Sequence, residues 1–430
     1  MSQPSSSAGS GVNNSARSLC VRALREWERG RAFSDEILHR THALVALDSA
    51  DRAFLTELFF GVLRHLRLLD FWIGLLRSGR LDPDVRALLR IGLYQIFLMR
   101  VPAHAAVFET VALSRGPARG LVNGVLRRAV REQETLQKAL EREPDSVGLS
   151  HPDFLWERWL KRWGRDATVE LCRRNNTPAE VFFRINSLRV SREELVQSAL
   201  GKEYGAEVYE RHAWVLRVQR VPRQWIESGW GYIQDPSTLY APDLLDPQPG
   251  ERVWDACAAP GGKATYLAQK MKDSGLVVAS DLYESRVARL RENCARMGVE
   301  SVEVCQGDAL LPPEPGVAWG DAAFDRILLD VPCSNTGVLR RRVDVRWRLT
   351  EEDFVRMPVI QFAFLQRAFA QLRPGGRLVY STCSIEWDEN EGVVERAQRE
   401  IPGLRLLEMR TLLPESGGGD GAFAALFERD

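Results

Sequence analysis

From Gly250 onward the chain repeats one unit: a short apolar run, a small or polar loop, then a helical stretch. The runs are Arg252–Ala256, Leu276–Ser280, Val302–Cys305, Asp325–Leu329 and Arg377–Ser381. Strands of this length alternating with helices predict a parallel, doubly wound α/β sheet of the Rossmann-like kind, and residues 246–430 are expected to form it. Ligands of such sheets bind beyond the carboxyl ends of the strands. The polar motifs of this half of the chain fall at those ends.

Ahead of the sheet the pattern is different. Across 16–140 the apolar residues recur at spacings of three and four, as in Phe54, Leu58, Val62, Leu66 and Leu69, which predicts an all-α domain. Asp82-Pro83 supplies a capping side chain followed by a proline at the first helical position, and Gly116-Pro117 breaks one helix from the next. Residues 145–245 mix short helices with extended pieces and are expected to form an α+β subdomain. Trp156, Trp159 and Trp163, at helical spacing, are expected in its core. Residues 1–15, rich in Ser, Gly and Asn, are expected to be a disordered tail.

The apolar stretches Leu68–Leu76 and Ile91–Met99 fall well short of the ~18–20 residues a membrane span needs, so no membrane partner is expected. The start of the chain has no basic segment followed by an apolar block, which argues against a secretory signal. Seven cysteines, at 20, 172, 257, 294, 305, 333 and 383, form no CxxC pair. Neither a metal site nor a disulfide framework is indicated, and reduced thiols in the cytoplasm fit best. The net charge is zero, yet residues 1–130 hold 18 Arg, no Lys and 11 Asp plus Glu, a surplus of 18 − 11 = +7. Arginine concentrated on one domain suits contact with RNA phosphates.

A cofactor loop follows the first strand. Asp255 leads into Cys257, Ala258, Ala259, Pro260, Gly261, Gly262 and Lys263, where small residues let the backbone approach a ligand and a helix start offers free N–H groups. The second strand leads to Asp281, placed to accept hydrogen bonds from ribose hydroxyls, and the third is followed by Asp308, placed for an adenine amino group. The loop is neither GxGxxG nor GxxxxGK[ST]. A pocket rimmed by Asp281, Asp308 and Asp330 suits S-adenosylmethionine, which is cationic at sulfur and has no phosphate, better than NAD or ATP.

Two cysteines complete the pattern. Asp330-Val-Pro-Cys333 follows the fourth strand and Ser381-Thr-Cys383 ends the fifth. In the strand order 3-2-1-4-5 these strands are neighbours, so the thiols converge beside Asp330. Carbon 5 of cytosine is a poor nucleophile, and addition of a thiolate at carbon 6 activates it. Asp330 could then hydrogen-bond the ring, and a base must remove the carbon 5 proton before the thiol leaves. Chemistry alone leaves the roles of Cys333 and Cys383 exchangeable.

The ordered set CAAPGGK at 257–263, DLYESRVARLRENCARMG at 281–298, QGDA at 306–309, DRILLDVPCSNTGVLRR at 325–341 and YSTCSIEWDENE at 380–391 resembles the Sun/Fmu-type (RsmB-like) ribosomal RNA cytosine-C5 methyltransferases. The helical region resembles the NusB-like RNA-binding domain that precedes the catalytic domain in that family. The resemblance implies that loop 257–263, Asp281, Asp308 and Asp330 hold the cofactor, that Cys383 is the nucleophile, and that Cys333 serves release of the methylated RNA. It implies small-subunit (16S) ribosomal RNA as substrate and partner, with a monomeric enzyme expected. FFRINSLR with Asn186 and YIQDPST with Asp235 resemble the family's RNA-side and cofactor-side elements. The rival readings are the same chemistry on transfer RNA, a non-catalytic RNA-binding assembly factor, and a DNA cytosine methyltransferase with Cys333 as nucleophile.

Overall fold

The computed structural model describes residues 14–311, 323–415 and 418–430, so the tail expected over 1–15 lies almost wholly outside the described residues. The chain divides into two compact units. One runs through Asn176 and includes Arg342–Trp347; the other comprises Thr177–Arg341 and Arg348–Asp430.

The first unit is helical among its described residues: α1 (Ala16–Glu28), α2 (Ser34–Leu44), α3 (Ser49–Arg64), α4 (Leu66–Leu76), α5 (Pro83–Phe97), α6 (Ala103–Ala112), α7 (Pro117–Arg131), α8 (Gln133–Leu140), α9 (Asp145–Gly148) and α10 (Asp153–Asn175). Local chemistry starts them. The Asp48 side chain accepts from Asp51 N to cap α3, and Asp82 caps α5 ahead of Pro83. Leu58, Val62 and Leu69 of the apolar stripe are fully buried together with Leu89 and Ile91 of α5 and Val122 and Leu126 of α7. Each such side chain removed from water contributes on the order of 2 kcal/mol. Helices α3 and α5 meet closely at Gly61, where a Cβ would fall 2.0 Å from the Tyr94 ring. Trp156 and Trp159 are buried on α10, which is interrupted at Gly164 (φ 77, ψ 175).

Arg342–Trp347 supplies this unit with three helix-end contacts. Asp344 accepts hydrogen bonds from Ser34 N at 3.0 Å, Ser34 Oγ at 2.7 Å and Trp27 Nε1 at 3.2 Å, placing a carboxylate at the start of α2. Arg346 donates to the Asn175 carbonyl at 3.0 Å, placing a guanidinium at the end of α10. Trp347 Nε1 donates to the Leu63 carbonyl at 2.8 Å, in the last turn of α3. Both charges have the sign that the helix dipole favours. Asp344→Ala strips the acceptor from buried donors and is expected to cost about 2–3 kcal/mol. The helical transition, followed by far-UV circular dichroism on heating, should fall by about 4–10 °C; an unchanged midpoint would contradict this role.

The second unit carries two sheets. In the smaller, β1 (Val181–Ile185), β2 (Glu207–Val208), β3 (Val215–Val218) and β4 (Gly231–Ile233) pair antiparallel in the order β2-β3-β1-β4. Helices α11 (Arg192–Gln197), α12 (Ala199–Tyr204) and α13 (Arg223–Glu227) accompany it, and Phe183, Leu216 and Trp225 are in its core.

The larger sheet contains β5 (Arg252–Asp255), β6 (Leu276–Asp281), β7 (Val302–Gln306), β8 (Phe324–Asp330), β9 (Leu372–Thr382), β10 (Leu404–Leu412) and β11 (Ala422–Arg429). Its order is β10-β11-β9-β8-β5-β6-β7. Strands β7-β6-β5-β8-β9 are mutually parallel in the expected 3-2-1-4-5 arrangement. The sheet as a whole is mixed rather than parallel, because β11 runs antiparallel to both β9 and β10. The link from Leu412 to Ala422 is too short for a crossover, so these two strands close as a hairpin. Helices α14 (Tyr240–Leu245), α15 (Gly262–Lys270), α16 (Glu284–Met297), α17 (Asp353–Ala370) and α18 (Glu391–Glu400) flank the sheet. On β8 the alternation of strand side chains sends Ile327 and Leu329 to one core and Leu328 to the other, so both faces are covered. Polar side chains therefore gather at the strand ends.

Candidate active site

The loop between β5 and α15 is held by its neighbour strand. Ala258 N donates to the Ser280 carbonyl at 2.9 Å and Ala259 N to Asp281 Oδ2 at 3.3 Å. Gly261, at φ +106, makes the left-handed turn into α15 that a side chain would resist. Arg184 of β1, fully buried, secures the start of α15 through Thr265 Oγ1 at 2.8 Å and the Gly262 carbonyl. An arginine of the segment that resembles an RNA-side element thus braces the loop 257–263. Asn186 donates to the Gly229 and Met297 carbonyls, both at 2.9 Å, and Asp235 accepts from Ser237 N at 3.0 Å and Asp420 N at 2.9 Å. These two side chains hold loops together.

Three carboxylates converge beneath the loop. Asp281 is nearly buried and pairs with Arg286 at 3.3 Å. Asp255 is fully buried, and the Cys257 backbone is within reach of its carboxyl group. Burial pushes its carboxyl up to about 7, with Lys263 opposing and Asp330 and Asp281 adding to the rise. Asp330 is bonded on both oxygens, to Lys263 Nζ at 2.5 Å and from Ser381 Oγ at 2.9 Å. Burial disfavours the Lys263 ammonium, but Asp330 and Asp255 outweigh it and hold the group above its ordinary value. Asp308, past the end of β7, accepts from Leu310 N at 2.9 Å. Cys257 has its thiol pushed well up by burial.

The cysteines meet as the strand order requires. Cys333 Sγ lies 3.2 Å from Cys383 Sγ, and Cys383 Sγ lies 3.2 Å from Asn335 Oδ1. Asn335 adopts a left-handed conformation (φ 61), which Asn tolerates well, and its amide also donates to the Cys333 carbonyl at 2.7 Å. Gly337 N donates to the Cys383 carbonyl at 3.0 Å, and a Cβ there would stand 2.7 Å from that oxygen. The Cys333 thiol is held well above its ordinary range, first by its hydrogen bond with Cys383 and then by burial. The site therefore combines a sulfur pair, a bonded Lys–Asp pair and a small-residue loop over carboxylates. Asn335 and the Lys263–Asp330 contact were not singled out from sequence, although both lie inside the motifs quoted there.

Among the described residues no helix is long and apolar enough to cross a membrane, and no group of three or more His, Cys, Asp or Glu could hold a metal ion.

Three family models match the chain. The model for 16S rRNA methyltransferase RsmB/F covers residues 242–427, the NusB family model covers 14–131, and the model of the RsmF/B-like ferredoxin-like domain covers 151–221. The chain is 37% identical to a probable ribosomal RNA small subunit methyltransferase B from Synechocystis, over 89% of this chain and 88% of the relative. It is 35% identical to the ribosomal RNA small subunit methyltransferase B of Erwinia tasmaniensis, over 93% and 94%. Its fold is similar to the crystal structure of PH0851, with a TM-score of 0.78 and 26% identity over 97% of this chain and 99% of that one. It is also similar to a methyltransferase homolog protein from Pyrococcus horikoshii, with a TM-score of 0.58 and 29% identity over 66% and 98%.

Proposed function

The chain belongs to the RsmB/F family of 16S rRNA methyltransferases, with an N-terminal NusB domain and a Rossmann-like catalytic domain, and we propose that it methylates carbon 5 of a cytosine in small-subunit ribosomal RNA through a covalent adduct with Cys383. The family makes it an RNA methyltransferase. The observation that supports the finer chemistry is the pair of sulfurs 3.2 Å apart beside the Lys263–Asp330 contact.

S-adenosylmethionine fits the residues present. Asp281 at the end of β6 suits ribose hydroxyls, the side-chain-free turn at Gly261 lets backbone approach, and Asp255 offers a buried carboxyl group beneath the loop. The loop 257–263, Asp281, Asp308 and Asp330 would hold it. When bound, the cofactor supplies an electrophilic methyl group on a sulfonium sulfur.

The residues then divide the work on the base. The Cys383 thiolate adds to carbon 6, and the electron pair of the ring double bond moves through carbon 5 toward ring nitrogen 3. Lys263 offers an N–H to the charge that develops there, and Asp330 accepts from the exocyclic amine. Carbon 5 is thereby made nucleophilic enough to take the methyl group. Removal of the carbon 5 proton next returns its electron pair to the ring double bond, and the bond from carbon 6 to sulfur breaks, releasing the Cys383 thiolate.

The surroundings of the two sulfurs favour this division of roles, since Cys333 is buried and Cys383 is partly exposed. A Cys333 that keeps its proton is a poor nucleophile and a good donor to its neighbour. Once Cys383 is tied up in a neutral thioether, the interaction that most strongly holds the Cys333 proton is gone; the thiol gives that proton to solvent water, and the resulting thiolate accepts the carbon 5 proton. Extruding the cytosine from its RNA surroundings precedes all of these steps.

Ribosomal and transfer RNA from a strain lacking the gene, compared with its parent by bisulfite sequencing, test the substrate. One 5-methylcytosine should disappear from small-subunit rRNA; its disappearance from transfer RNA alone would overturn the choice of substrate.

A further inference from the structure

Glu389 is fully buried, yet its carboxylate reaches both cysteine loops. Oε2 accepts hydrogen bonds from Ser334 N and from Gln361 Nε2, each at 2.9 Å, while Oε1 accepts from Ser384 Oγ at 2.8 Å. Ser334 directly follows Cys333, and Ser384 directly follows Cys383. Gln361, on α17, also donates to the carbonyl of Pro332 at 3.0 Å, the residue before Cys333. The two serine hydroxyls lie 3.1 Å apart, and Thr336 Oγ1 is 3.2 Å from that of Ser384. Tyr380 on β9 donates to the Glu389 carbonyl oxygen at 2.6 Å, tying the glutamate itself to the sheet. A carboxylate taken out of water is costly unless its oxygens are bonded, and these are bonded to the segments that carry the thiols.

We propose that Glu389 is a positioning residue whose carboxylate cross-braces the Cys333 and Cys383 loops and so sets the separation of the two sulfurs. The proposal rests on the reading of those thiols as the reacting pair. One sulfur must reach carbon 6 and the other must serve the adjacent carbon 5 of the same ring, so their spacing is itself part of the catalytic geometry. A displacement of about 1 Å at such a centre is enough to cost on the order of 100-fold in rate.

Two substitutions separate the brace from its charge. In Glu389→Gln the side-chain carbonyl can take the place of Oε2 and the amide can donate to Ser384 Oγ, whose own proton turns to Thr336 or Ser334. All three links survive. Glu389→Ala removes both acceptor oxygens and, with them, all three links.

The first readout uses the free protein without RNA. Diamide, which takes up two electrons and two protons, couples two adjacent thiols into a disulfide; coupling of Cys333 to Cys383 is followed by loss of two maleimide-reactive thiols and by non-reducing peptide mapping. Wild type and Glu389→Gln should couple at rates within about 3-fold of each other, and Glu389→Ala about 10-fold more slowly, since the encounter depends on pre-set spacing. The second readout is methyl transfer to small-subunit rRNA. Glu389→Ala should lose about 100-fold in kcat with both KM values within about 3-fold, and Glu389→Gln should stay within about 5-fold of wild type in kcat. If Glu389→Ala yields no soluble protein, Glu389→Asp replaces it with the same expectations, because the shorter side chain keeps the charge and cannot span both serines.

Coupling at the wild-type rate in the alanine or aspartate variant would overturn the brace. So would a glutamine variant as impaired as the alanine one. The thiol readout needs no methyl transfer: a wild-type protein that methylates no cytosine, but whose coupling depends on Glu389, would sink the proposed function and leave the brace standing.

Discussion

Cys383→Ala should lower methyl transfer to RNA by at least about 10⁴-fold, with cofactor and RNA affinities within about 3-fold of wild type. The size of the effect follows from the chemistry of the base. Without addition at carbon 6, carbon 5 has no electron pair to offer, and no other group in the site can make one available. Cys333 is no substitute, because its thiol is buried and its sulfur is assigned to carbon 5 rather than carbon 6 of the ring. The affinities should hold because the side chain adds only one sulfur to the site, while Ala258, Ala259 and Asp281 shape the loop 257–263 from other strand ends. Single-turnover methyl transfer with labelled cofactor measures the rate, and filter binding measures RNA affinity. Retention of more than about a tenth of wild-type activity would remove Cys383 from the nucleophile's role.

Cys333→Ala should fail at the other end of the reaction. Addition and methyl transfer can still proceed through Cys383, but proton removal from carbon 5 loses its acceptor and the bond from carbon 6 to sulfur cannot break. Protein and RNA should therefore accumulate as an adduct that survives denaturing electrophoresis, and turnover should stop after about one methyl group per enzyme. The Cys333→Ala, Cys383→Ala double variant should form no adduct. Multiple turnovers with free methylated RNA from Cys333→Ala would show that another group, such as water, removes the proton.

Much of this architecture is legible in the residues themselves, because it is written in local patterns. Short apolar runs from Arg252 to Ser381 mark the five parallel strands, and spacings of three and four mark the helices of the first unit. The convergence of Cys333 and Cys383 follows from strand order alone, and their sulfurs lie 3.2 Å apart. What escapes such a reading depends on distant partners. The antiparallel β11 slots between β9 and β10, a pairing that no local periodicity announces. Asp344, Arg346 and Trp347 satisfy helix ends more than 150 residues away in sequence, so their character as caps appears only once those helices are placed. Glu389 looks like one acid among several in a polar stretch, and its link to Ser334 becomes visible only when β8 and β9 lie side by side. Lys263 belongs to the small-residue loop by position, yet its ammonium is turned to Asp330.

Nucleoside mass spectrometry of small-subunit rRNA incubated with the purified protein and isotopically labelled S-adenosylmethionine tests the central claim most directly. The label should appear in 5-methylcytidine, approaching one residue per RNA molecule, and should be absent with Cys383→Ala. Label in any other nucleoside, or equal labelling by wild type and Cys383→Ala, would contradict the account.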